Sequence, residues 1–210
     1  MGDLMILNGS PRAPRSHSKG YAELFSARYP GKTAYFDITK TNHQALCDGM
    51  EAYSRVLFVF PLYADALPVT LLNFLKFLEE HPPAKRPVVS VLINCGFLEP
   101  QQNEMAVRMM RLFCRRNQYP FGPVLMIGSG EAILNSPFRF LAARAVRRFA
   151  DSVARGSHGT DRVTMPLPKG LFVRAAASYW ENYGKKYGVT KEQMQTMDIE
   201  GGTGEGGLQA

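Results

Sequence analysis

The sequence predicts an α/β fold, a doubly wound three-layer sandwich built around a five-stranded parallel sheet. Two observations predict it. Five segments, LMILN (4–8), TAYFDI (33–38), RVLFVF (55–60), VVSVLIN (88–94) and PVLMIG (123–128), are mostly continuous apolar runs, the pattern of strands covered on both faces. Between them lie stretches whose apolar residues recur at helical spacing, and strands alternating with helices at this interval pair in parallel through right-handed crossovers.

The elements follow in order. The first strand opens into GSPRAPRSHS (9–18) and then a helix-like stretch, KGYAELFSARY. After the second strand, residues 42–53 read as a short helix capped by Asn42 or Thr41. After the third, Leu67, Leu71, Phe74, Leu75 and Leu78 form an apolar stripe, with Pro68 in the first turn, where a missing N–H costs little. Ala106, Met109, Met110 and Phe113 make another after the fourth. GSGEAI (128–133) reads as a turn, and beyond it Phe138, Leu141, Ala145, Val146 and Phe149 face inward while Arg139, Arg144, Arg147, Arg148 and Arg155 lie largely opposite.

The pattern changes after residue 156. SHGTDR (157–162) reads as a turn or linker, VTMPLPKG as an extended segment, and residues 171–188 as an amphipathic helix with an aromatic stripe of Tyr179, Trp180, Tyr183 and Tyr187. The expected organisation is a core domain over 1–156, a C-terminal helical arm over 157–190 and a disordered tail over 191–210, whose GGTGEGGLQA end has no means of forming a core. Packing on its own domain is the expected use of the arm, with a dimer interface and a membrane surface as alternatives.

With 210 residues, 45% hydrophobic and 20% charged, the chain suits one good core, and its net charge of +7 suits an anionic partner without choosing which. Cys47, Cys95 and Cys114 form no CxxC pair, and His17, His43, His81 and His158 have no metal-ligand spacing, so neither a metal nor a disulfide framework is expected. The absence of a signal-like or membrane-spanning apolar stretch leads to the expectation of a soluble, cytoplasmic protein. The arginine face at 139–155 lacks any accompanying nucleic-acid motif, so a solvated helix surface is expected there.

Five strands suit the flavodoxin-like order 2-1-3-4-5, in which a ligand crevice lies beyond the carboxyl ends of strands one and three. That selects three loops. In the first, Ser10, Ser16 and Ser18 supply hydroxyls and Arg12 and Arg15 positive charge at a helix N-terminus, a natural place for a phosphate; capping serines and solvated arginines are the plainer alternative. The loop lacks the glycine spacing of a dinucleotide or P-loop site, which favours a monophosphate. In the second, Pro61, Leu62, Tyr63 and Ala64 offer a wall for a flat ring, and in the third, Asn94, Cys95 and Gly96 offer polar groups and close backbone approach. Cys95 has no evident base partner in sequence.

ILNGSPRAPRSHS (6–18), followed by VFPLYADALP (59–68) and LINCGF (92–97), resembles the flavodoxin-like NADPH-dependent FMN reductase family and its NAD(P)H quinone reductase relatives over roughly residues 3–155. The resemblance implies FMN as cofactor and NAD(P)H as electron donor. It assigns Ser10, Arg12, Ser16 and Ser18 to the phosphate, Pro61, Leu62, Tyr63 and Ala64 to the isoalloxazine, and Asn94, Cys95 and Gly96 to its polar edge. It also implies a small-molecule electron acceptor (a quinone, a flavin or another electron-poor aromatic), a homodimer or higher homo-oligomer, and no catalytic side chain. Two alternatives stay open: a flavodoxin-like electron carrier, disfavoured by the +7 charge, and a flavin-free scaffold of the same fold. The arm at 163–188 lies outside the family pattern.

Overall fold

The computed structural model describes residues 4–13 and 15–196. Six strands, not five, form one parallel sheet in the order β2-β1-β3-β4-β5-β6: β1 (Leu4–Asn8), β2 (Thr33–Asp37), β3 (Arg55–Pro61), β4 (Val88–Asn94), β5 (Phe121–Ile127) and β6 (Thr160–Val163). The additional strand lies in the stretch expected to be a linker. Its residues, TDRV, carry no apolar run, because an edge strand half open to solvent is selected by its backbone ladder and not by burial. Val124 N–H donates to Gly159 O and Gly128 N–H to Val163 O, extending the ladder before the start of β6 and past the end of β5.

The helices are α1 (His17–Ser26), α2 (His43–Met50), α3 (Val69–Glu80), α4 (Glu104–Arg116), α5 (Gly130–Leu134), α6 (Arg139–Arg155), α7 (Lys169–Lys185) and α8 (Lys191–Met194), with a 3-10 turn at Pro100–Asn103. Residues 128–133, read as a turn, thus include most of α5. Pro68 sits at the N-cap of α3, one residue before the helix.

Alternation along the inner strands divides the core. Met5, Leu7, Val56, Phe58, Phe60, Val91 and Ile93 pack with α2, α3 and α4, while Leu4, Ile6, Leu57 and Val59 are buried on the face of α1 and α6. On that second face the Phe25 and Phe149 rings meet at 5.7 Å, joining α1 to α6; burying each ring contributes about 1.5–3 kcal/mol. Because β1 lies between β2 and β3, the connection out of β1 runs to one side of the sheet and that out of β3 to the other, which opens a crevice beyond the carboxyl ends of these two strands. α6 ends cleanly at Gly156, whose φ of 67° permits the left-handed turn that closes the helix.

The chain divides into two compact units, one reaching Met165 and the other starting at Pro166, so β6 belongs with the sheet. In the second unit the chain turns after α7, with Val189 N–H donating to Gly184 O, and Thr190 and Gln193 form a capping box at α8. Lys191 Nζ lies 2.8 Å from Glu181 Oε1. The expected disordered tail therefore begins with a helical turn at 191–194, and residues 197–210 lie outside the described residues. Among the described residues no helix is long and apolar enough to cross a membrane.

Gly128, just past β5, gives a test of this packing. A Cβ there would lie 2.5 Å from Leu98 O, 2.9 Å from Thr164 Oγ1 and 3.0 Å from Pro100 N, and two of these are backbone atoms that no rotamer change can move. Gly128→Ala is expected to cost about 1–3 kcal/mol, read as a lower urea midpoint at unchanged slope. An unaltered midpoint would contradict the packing.

Candidate functional site

The first loop is organised by the last residue of β1. Asn8 is fully buried; its Oδ1 accepts from Ser10 N–H at 3.0 Å, and its Nδ2 lies 2.9 Å from Asp37 Oδ1, 2.9 Å from Tyr35 OH and 3.4 Å from Ser16 Oγ. Ser10 then folds the chain back, its Oγ accepting from Arg12 N–H at 3.3 Å and its carbonyl from Ala13 N–H at 3.2 Å. Ser16 caps α1 by accepting from Lys19 N–H at 3.2 Å. The first two amides of the helix, those of His17 and Ser18, donate to no described residue and share the positive end of the helix dipole. Arg12 and Arg15 are exposed beside them.

The neighbouring strand end completes this arrangement. Tyr35 OH donates to Asp37 Oδ1 at 2.5 Å, and burial, reinforced by that bond, pushes the Tyr35 phenol well above its ordinary pKa. Tyr35 therefore stays protonated and remains a donor to Asp37 at every physiological pH.

The second loop is pinned at both ends of a tight turn. Leu62 N–H donates to Asn94 O at 2.7 Å, and Tyr63 and Ala66 exchange N–H···O bonds of 3.1 and 3.0 Å around Ala64 and Asp65. Both central residues have positive φ, 46° and 56°, without glycine, which costs about 1–2 kcal/mol each. Tyr63 is 55% exposed, leaving its ring free to meet a ligand.

In the third loop the Asn94 side chain lines the cleft, and its amide nitrogen is also engaged within the protein. Its Nδ2 donates to Ser18 Oγ at 3.2 Å and Phe60 O at 3.3 Å, so this amide clamps α1 to β3. Cys95 N–H is committed to Ile127 O. The N–H of Gly96 donates to no described residue, and a Cβ on Gly96 would meet nothing within 4 Å, so the backbone here is open to close approach. Burial raises the Cys95 thiol pKa against the lowering effect of a backbone hydrogen bond at Phe97 and of Asn103 Nδ2, which lies 3.3 Å from Sγ.

These loops meet. Of the residues selected from sequence, all but Arg15 and Ala64 line one cleft of about 260 Å³, which Pro11, His17 and Glu131 also line. Ala64 sits instead in the turn behind Tyr63. The sequence reading missed His17 and Glu131, and it missed Asn8, Tyr35 and Asp37 behind the loop. The pairing of Asn8 with Asp37 at the carboxyl ends of adjacent strands was the available signal. Among the described residues no cluster of three or more His, Cys, Asp and Glu side chains could hold a metal ion.

No family model matches the chain, and no curated protein matches its sequence. Solved structures do. An NAD(P)H:quinone oxidoreductase from Methanothermobacter marburgensis superposes with a TM-score of 0.56 at 13% identity, covering 75% of this chain and 98% of that one. A flavodoxin from Streptococcus pneumoniae gives 0.55 at 11% identity, covering 73% and 98%. An azoreductase from Bacillus anthracis gives 0.51 at 15% identity, covering 74% and 100%. The fold is flavodoxin-like. At these identities the likeness concerns the backbone fold.

Burial governs the reactivity of all three thiols, pushing Cys47 up to about 11, Cys114 up to about 12 and Cys95 upward. Because a raised pKa depletes the thiolate at neutral pH, iodoacetamide at pH 7.5 is expected to label Cys95 at least about tenfold more slowly than an unhindered thiol. The rate should still be climbing above pH 9, and peptide mass mapping over a pH series reads it. Rapid labelling at pH 7.5 would mean that the thiol is activated.

Proposed function

We propose that the cleft holds FMN and that the protein is an oxidoreductase passing reducing equivalents from NAD(P)H to a small acceptor such as a quinone, a free flavin or another electron-poor aromatic. The observation that carries this reading is the convergence, in one cleft, of an anion-ready helix start with a glycine-floored strand end and an exposed tyrosine.

The residues present fit the group. The amides of His17 and Ser18, which donate to no described residue, the hydroxyls of Ser10 and Ser16 and the Arg12 guanidinium are donors suited to a phosphate, and they stand where the helix dipole favours a negative charge. Pro61, Leu62 and Tyr63 offer apolar surface for a ring, and the Gly96 N–H offers a donor for a polar ring edge. A cleft of about 260 Å³ lies just below the usual span of about 300–1,000 Å³ for small-molecule sites, so part of a ring that size stays open to a second reactant. When bound, the flavin supplies the two-electron chemistry. The chain orients it, offers donors that balance negative charge at the ring edge and shields one face from water. The buried, protonated Cys95 takes no acid–base role in this scheme.

Titration of FMN with the purified protein is expected to quench flavin fluorescence at one equivalent, and the loaded protein should oxidise NADH or NADPH in the presence of a quinone. Arg12→Ala and the double change Ser10→Ala, Ser16→Ala should each weaken FMN about tenfold or more while leaving riboflavin, which lacks the phosphate, nearly unaffected. An FMN affinity no better than that of riboflavin would remove the phosphate assignment. Flavin binding without turnover on any acceptor would replace the reductase by an electron carrier.

A further inference from the structure

On the far side of the first loop lies a second cavity, of about 300 Å³, that the flavin reading does not use. It shares Ser10 and Pro11 with the first cleft, so the two adjoin along that loop. Asp37, Thr39, Lys40 and Thr70 give it a carboxylate, two hydroxyls and an ammonium, and Ile38 gives it an apolar floor.

Asp37 is the distinctive group. Its Oδ1 is fixed by Tyr35 and Asn8, while Oδ2 accepts from no described residue. The Thr70 hydroxyl and the Lys40 ammonium are also without a described partner. A half-buried carboxylate locked by two donors at the carboxyl end of β2, with one oxygen that accepts from no described residue, is a preorganised acceptor for paired hydroxyls. The same charge repels a phosphate ester in place of a hydroxyl. Lys40 is exposed on a flexible stem and counts for less than the fixed carboxylate, but it can meet a phosphate further along the same ligand.

We infer that this cavity is a subsite for the ribose of a nucleotide with a free 2′,3′-diol, in which Asp37 accepts from the diol and Lys40 meets the 5′-phosphate. On the proposed function, on which this assignment of the occupant rests, the nucleotide is the adenosine half of the electron donor. The chain then selects NADH over NADPH, because the 2′-phosphate of NADPH would be set against Asp37.

Calorimetric binding of 5′-AMP, 2′-deoxy-5′-AMP, 2′,5′-ADP and ribose 5-phosphate to the full chain, with and without saturating FMN, tests the subsite without relying on turnover. The expected result is that 5′-AMP binds whether or not FMN is present, and that the other three bind about tenfold or more weakly. Asp37→Asn keeps an acceptor for Tyr35 and Asn8 but removes the charge, and should bring 2′,5′-ADP within about threefold of 5′-AMP. Lys40→Glu, at an exposed position, should weaken 5′-AMP while preserving the discrimination. In turnover, the NADH-to-NADPH preference of the wild type should shrink in Asp37→Asn through KM. Failure of 5′-AMP to bind, its displacement by FMN, equal affinity for 2′,5′-ADP, or ribose 5-phosphate matching 5′-AMP would each overturn the inference. If 5′-AMP binds as expected while FMN does not, the subsite stands and the flavin reading falls; if FMN binds while 5′-AMP does not, the reverse holds.

Discussion

The buried amide of Asn8 ties together everything at the carboxyl edge of the sheet. It ends β1, accepts from the loop at Ser10, and reaches sideways to Asp37 and Tyr35 and forward to Ser16. A polar side chain with no solvent exposure is tolerable only when its hydrogen-bonding groups are satisfied, and here the amide oxygen accepts from Ser10 N–H while the amide nitrogen donates to groups that also bond one another or the first turn of α1. The direction of the first loop, the start of α1 and the orientation of the Asp37 carboxylate thus share one support. Two adjoining cavities, both lined by Ser10, rest on the same side chain.

Strain gathers around the first cleft. Of the four described non-glycine residues with positive φ, Ala64, Asp65 and Ser129 lie in loops at the carboxyl edge, and Gln118 precedes β5 at the opposite edge. Ser129 is retained by donation from its N–H to Phe97 O, by its hydroxyl contact with Thr164 at 2.9 Å and by accepting from Met165 N–H at 3.1 Å. Such conformations persist only where surrounding bonds over-determine them, and they mark places where side-chain direction matters more than local stability.

Much of the sheet was legible because a strand buried on both faces must be apolar along its whole length, as LMILN and RVLFVF are. The three loops were legible because chain order alone places the reversal of winding beside β1. What escaped followed different physics. TDRV carries no hydrophobic signature because an edge strand needs only a neighbour's backbone. Asn8 and Asp37 read as ordinary strand ends, since nothing in either residue alone announces that parallel register brings them side by side. Asn94 was legible as polar and buried at the site, but its donors point to Ser18 and Phe60, a choice that depends on where α1 packs. The turn at Ala64 and Asp65 lacks the glycine or asparagine that usually reveals it.

β6 also bears on how the sheet meets other molecules. A parallel sheet exposes an unpaired row of N–H and C=O groups along each outer strand, a template on which foreign chains can add. Here that border is four residues long, carries Asp161 and Arg162, and is held by Arg162 to Glu104 at 3.1 Å and by Thr160 to Arg111 at 3.1 Å. A strand so short, charged and tethered from the side is a poor surface for further β-pairing. The last strand thus closes that one border of the sheet to self-association along its backbone.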